Sequence, residues 1–164
     1  MENYMAYRFY GWEKADVKPS AEWQSKIQQA EEPVQDPVAD PRHLYELLSG
    51  IWCEYTCTPR MRKDWSPENR TLGQCSITAF LAQDIFGGKV FGVPLGDGNV
   101  HCYNVVGDCV FDLTSEQFGE TELNYENNPE QFREVHFAKK EEKRLRYEYL
   151  KAELEKQIRT PKGC

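Results

Sequence analysis

The chain has 164 residues and a formal net charge of −7, from 27 Asp and Glu against 20 Lys and Arg, so nucleic acid and anionic membrane surfaces are not expected as its main partners. That length suits one domain with a real core and is short for two. Apolar residues make up only 40% and charged residues 29%, but nine Tyr, eight Phe and four Trp supply core bulk that aliphatic side chains do not.

The first eight residues lack the basic start and apolar segment of a signal peptide, and no apolar run approaches a membrane span. A cytoplasmic location is therefore expected, with Cys53, Cys57, Cys75, Cys102, Cys109 and Cys164 reduced. Tyr4, Tyr7, Phe9, Tyr10 and Trp12 cluster without a clear period, and Ser20 caps a short helix reaching toward Ala30. Residues 31–41 carry Pro33, Pro37 and Pro41, which reads as a linker or a surface-hugging strap. Residues 1–40 are thus taken as an N-terminal extension with a Pro-rich linker, and 41–164 as a single α+β domain.

Asp40-Pro41 opens a helix whose apolar stripe is Leu44, Leu47, Leu48 and Ile51, ending near Trp52. Residues 53–70 read as a long surface loop leading into Thr71-Leu72-Gly73-Gln74-Cys75. Thr71 and Gln74 have capping-box spacing, which predicts a helix with Cys75 in its first turn, an apolar side at Ile77, Phe80, Leu81 and Ile85, and a stop at Gly87-Gly88. Residues 89–93 form a strand, 94–98 a turn, and 99–106 with 109–113 a hairpin across Gly107-Asp108, a pair suited to a type II′ turn. Asn128-Pro129 begins a long charged C-terminal helix with Tyr147, Leu150, Leu154 and Ile158 at helical spacing. Its basic cluster, Lys139 to Arg146, is interleaved with Glu141 and Glu142 and reads as a solvated face; the tail from Thr160 is expected to fray.

Three residues on these elements have the chemistry of a thiol enzyme: Cys75 as nucleophile, His101 as base and Asp112 to orient the imidazole. A two-residue turn at Gly107-Asp108 pairs Val106 with Cys109, sets Tyr103 opposite Asp112 and His101 opposite Thr114. His101 and Asp112 then share a face as diagonal neighbours, roughly 7 Å apart and within reach of a hydrogen bond. A three-residue turn would put them on opposite faces. At a helix start, unpaired N–H groups and the dipole lower a thiol pKa, and a nearby imidazolium lowers it further. The Cys75 backbone N–H is the first oxyanion candidate, with Gln74 and Asn104 as side-chain candidates, although Asn104 falls on the face away from His101.

The strings GQCSITAFLAQDIFGGKV, HCYN and FDLTSEQF, with the closing Arg-x-Arg-Tyr-x-x-Leu around Tyr147, resemble the YunG-like family of bacterial proteins over about residues 44–154. That resemblance implies a fold group and carries no reaction with it. More distantly, Gly73-Gln74-Cys75, His101 and Asp112-Leu113-Thr114 are similar to the cysteine, histidine and aspartate motifs of the transglutaminase-like and papain-like superfamily. This implies a helix bearing the cysteine packed on a small antiparallel sheet bearing the other two. The His101–Asp112 step is shorter than usual there, and Cys102 stands where a small residue is common.

The leading expectation is a cysteine-dependent acyl-transfer enzyme or amide hydrolase acting on a small-molecule or protein amide without a cofactor. A non-catalytic interaction module that keeps the fold is the first alternative. The second is a zinc site built from Cys53 and Cys57 with Cys102 and Cys109, or with His43.

Overall fold

The structure is a computed structural model that describes residues 8–29 and 32–160. Its elements run α1 (Ala21–Gln28), α2 (Pro41–Ser49), α3 (Cys75–Phe86), β1 (Lys89–Pro94), β2 (Val100–Val106), β3 (Cys109–Phe111), β4 (Glu130–Gln131), α4 (Arg133–Lys139) and α5 (Glu141–Arg159). The strands make one antiparallel sheet in the order β3-β2-β1-β4. The chain is therefore an α+β protein, with α3 packed on β1 and β2 and against α5.

The hairpin forms in the expected register, with Asn104 opposite Phe111 and Val106 opposite Cys109. Gly107 has φ +60° and Asp108 is not among the residues of positive φ, as a type II′ turn requires. Asp40 caps α2 through His43 N–H at 3.0 Å and Ser20 caps α1 through Trp23 N–H at 3.1 Å.

Two boundaries differ from expectation. The capping box does not form: α3 starts at Cys75, with Gln74 as an N-cap that makes no side-chain cap bond. The cause is Gly73, at φ +71°, which turns the chain just before the helix and lets it pass so close to Cys57 that a Cβ there would lie 2.6 Å from the Cys57 sulfur. Nor does one helix begin at Asn128-Pro129. Residues 130–131 pair with β1 instead, and the helical stretch breaks at Lys140, whose backbone is extended at φ −139° and ψ 104°.

The core joins Phe80, Leu81 and Ile85 of α3 to Leu150 and Leu154 of α5, with Val90 and Phe111 from the sheet and Leu44 and Leu48 from α2. Phe9, Trp23 and Val38 are buried in the same cluster. The proline-rich segment lies against the end of α5, where Gln35 and Asp36 both donate to the Ile158 carbonyl at 2.8 and 2.9 Å. Tyr4, Tyr7 and Cys164 lie outside the described residues. No helix among the described residues is long and apolar enough to cross a membrane.

Candidate functional site

Cys75 is the first residue of α3, so its backbone N–H has no partner within the helix and its thiol stands at the positive end of the helix dipole. His101 and Asp112 come from the hairpin, as the register requires. Their Nε2 and Oδ2 atoms are 2.6 Å apart, and both side chains are 1% exposed. The short β3 ends at Phe111, so the stretch of β2 bearing His101 and Cys102 has a paired strand on its β1 side only. Cys75 lies beside this stretch of β2, with its thiol donating to the Val100 carbonyl at 3.9 Å and interacting electrostatically with His101 and Cys102.

The electrostatics of this cluster favour a charged pair. The Cys75 thiol is held well below its usual pKa by the hydrogen bond from Cys102; burial opposes this, and the imidazolium charge of His101 adds to it. Cys102, which keeps its proton in that bond, is pushed well above the usual thiol value. Burial by itself works against a charge on His101, but the Asp112 carboxylate and then the Cys75 thiolate override it and raise His101 to about 10. Because Nε2 is engaged by Asp112, Nδ1 is the ring nitrogen left for the sulfur.

Asp112 is itself fixed on every side. Its Oδ2 also accepts from Tyr125 Oη at 2.7 Å, and its Oδ1 accepts from the Thr114 N–H at 3.2 Å and the Thr114 hydroxyl at 3.4 Å. Tyr10 stacks on Tyr125 with ring centres 4.0 Å apart, and its carbonyl accepts the Asp112 N–H at 3.0 Å. Phe118 covers His101 edge-on at 4.7 Å.

The two side-chain oxyanion candidates are engaged elsewhere. Gln74 is buried and its amide nitrogen donates to the Cys53 carbonyl at 3.2 Å. Asn104 points into α3 and donates to the Ala79 carbonyl at 2.9 Å. Neither lines the cavity at Cys75, whereas Cys75 itself does. The zinc candidates do not converge: among the described residues no group of three or more His, Cys, Asp or Glu could hold a metal ion. His43 accepts from the Ala39 N–H, and Cys109 donates to the Lys14 carbonyl.

A cavity of about 80 Å³ opens beside Cys75 and His101, walled by Gly73, Met61, Leu95, Phe118 and residues of α5. A larger groove of about 980 Å³ runs along the segment from Phe9 to Lys14 and contains neither Cys75 nor His101. We place the site at the smaller cavity, since the reactive groups line it.

Sequence reasoning missed several contributors. Thr114 was the most accessible of them, because an Asp followed two residues later by an N–H and a hydroxyl is a recognisable local turn. Tyr125 and Cys102 carried no signal, since each acts through a tertiary contact. Arg146 was misread: the cluster from Lys139 to Arg146 is not a solvated face throughout, for Arg146 is 2% exposed and lines the cavity with Lys143.

The fold and the cluster define an α+β protein with a Cys–His–Asp constellation between a helix start and an antiparallel hairpin. The YunG protein family model matches residues 40–159, and the chain belongs to that family. It is 31% identical over 109 residues to "Uncharacterized protein YunG" of Bacillus subtilis (strain 168), a match covering 66% of this chain and 86% of that protein. No solved structure matches.

Proposed function

We propose that the chain is a cysteine-dependent acyl-transfer enzyme or amide hydrolase with Cys75 as nucleophile, His101 as proton carrier and Asp112 as the group that holds His101. The observation that carries this reading is the 2.6 Å His101–Asp112 contact beside a thiol at a helix start. A cysteine on a helix followed by histidine and aspartate on antiparallel strands is also the arrangement of transglutaminase-like and papain-like enzymes, which supports the same reaction class.

The Cys75 thiolate attacks a carbonyl carbon, and the charge that develops on oxygen is met by the Cys75 backbone N–H. As the tetrahedral intermediate collapses, His101 Nδ1 gives its proton to the leaving amine and a thioester remains on Cys75. Water or a second amine then attacks the thioester and passes a proton to His101. The acid or new amide leaves and the ion pair is restored. Asp112 accepts from Nε2 and so keeps the ring turned toward sulfur.

The test is the pH dependence of iodoacetamide alkylation at each cysteine, read by mass spectrometry, in the native chain and in His101→Ala. Cys75 should react well below the ordinary thiol pKa of about 8.5 and lose that advantage without His101. A Cys75 as slow as a buried thiol in both proteins would favour a non-catalytic interaction module instead.

A further inference from the structure

The charged side chains that line the cavity at Cys75 are basic, although the molecule as a whole is acidic. The chain has 27 acidic and 20 basic residues. Yet Arg60, Lys140, Lys143 and Arg146 line this cavity and no Asp or Glu does. We propose that it is a carboxylate-binding subsite, so that the substrate delivered to Cys75 carries a carboxylate on a short apolar stem. This rests on the reading of Cys75 as the nucleophile and names the class of substrate it would take.

Arg146 is the anchor. Its Nε donates to Glu142 Oε1 at 2.7 Å and its Nη1 to the Thr56 carbonyl at 2.9 Å, which fixes the guanidinium. Its Nη2 is buried and has no partner among the described residues. A buried guanidinium N–H without an acceptor is costly, and a small shift of the Arg146 side chain that brings Nη2 to an anionic oxygen in the cavity relieves that cost with a charge-assisted bond. Lys143, half-buried, adds a second cation. Its Nζ donates to His136 Nδ1 at 2.9 Å, a neutral partner, and the negative charge that favours its protonated form comes from the Cys75 side. Arg60 and Lys140 are exposed and give the mouth a positive field that attracts anions. Met61, Leu95 and Phe118 supply apolar wall. At about 80 Å³ the space takes one end group of a substrate, since cavities for whole ligands are roughly 300–1,000 Å³.

Iodoacetate and iodoacetamide test this directly, because they alkylate the same sulfur and differ in the carboxylate. The ratio of their rates at Cys75 cancels any change in the thiolate population. It is compared, at about pH 8 and low salt, with the ratio at a free cysteine peptide in the same tube. At that pH an ordinary thiol with a pKa of about 8.5 is partly ionised, so the ratio is readable even if Cys75 is not activated. The ratio should be about tenfold higher at Cys75 than at the peptide, should saturate with iodoacetate, and should fall toward the peptide value in Arg146→Gln and in Lys143→Met. Lys143 is half-exposed, so its variant keeps the test open if Arg146→Gln does not fold, which circular dichroism reveals. A ratio equal to that of the peptide overturns the subsite while leaving the iodoacetamide pH profile to judge the nucleophile. A raised ratio that neither variant lowers overturns the assignment to Arg146 and Lys143, since the imidazolium alone would then account for it.

Discussion

After the Cys102 hydrogen bond, the charge on His101 is what holds the Cys75 thiol low, and the Asp112 carboxylate supports that charge. With its pKa raised to about 10, His101 carries its charge at neutral pH. The sign of the linkage follows: a histidine whose folded pKa lies above its unfolded value stabilises the fold fully below about pH 6.5, and that contribution is lost as pH rises toward about 10. Activity that needs imidazolium to protonate a leaving amine should decline over the same upper limb. In Asp112→Asn the opposing effect of burial prevails, so the histidine should become neutral and the thiolate lose its counter-charge. Iodoacetamide alkylation of Cys75 at about pH 6 should then slow by at least about tenfold. Tyr125→Phe removes one of several donors to the Asp112 carboxylate. It should cost about 1.5–3 kcal/mol in urea denaturation, the range for a hydrogen bond to a charged group, and leave the shape of the alkylation profile intact.

The break between α4 and α5 is the element that most distinguishes this C-terminal region from a single charged helix. It turns α4 so that His136 lies between Gln131 of β4 and Lys143 of α5, with Nε2 2.8 Å from Gln131 Oε1 and Nδ1 accepting from Lys143 at 2.9 Å. Burial, and then the Lys143 charge, push the His136 pKa down to about 4. Between about pH 6.5 and 4 the unfolded chain takes up a proton there that the folded chain refuses, so stability falls as pH drops through that window. His136→Gln removes this term. Its denaturation midpoint should lose less on acidification than that of the native chain, by about 1–2 kcal/mol after allowing for partial exposure.

Across the whole molecule, Phe9, Trp23 and Val38 are bound into the core that supports the site, although they precede the matched residues 40–159. Phe9 is fully buried, packs on Trp12 and Tyr45 with ring centres 5.1 and 5.4 Å away, and precedes the Tyr10 that backs Asp112. Phe9→Ala should cost about 3–5 kcal/mol by chemical denaturation, the usual range for a large buried aromatic. A loss below about 1 kcal/mol would show that this segment contributes little to the stability of the rest.

The sequence by itself determined what depends on local geometry. Strand alternation and a two-residue Gly-Asp turn set the hairpin register, and the register alone puts His101 and Asp112 on one face. The apolar run after Cys75 and the glycine pair at 87–88 made the helix and its end legible, so Cys75 could be placed at a helix start. What only the tertiary structure decided are contacts between residues distant in the chain: Cys102 against Cys75, Tyr125 on Asp112, and Arg146 brought to the cavity from α5. Arg146 sits among glutamates in a strongly charged segment, where nothing local separates a solvated arginine from a buried one. The capping box misled for the same reason. Thr71 and Gln74 have the right spacing, but the loop folded against Cys57 needs Gly73 in a left-handed turn, and that long-range demand outweighs a local bond worth about 1 kcal/mol.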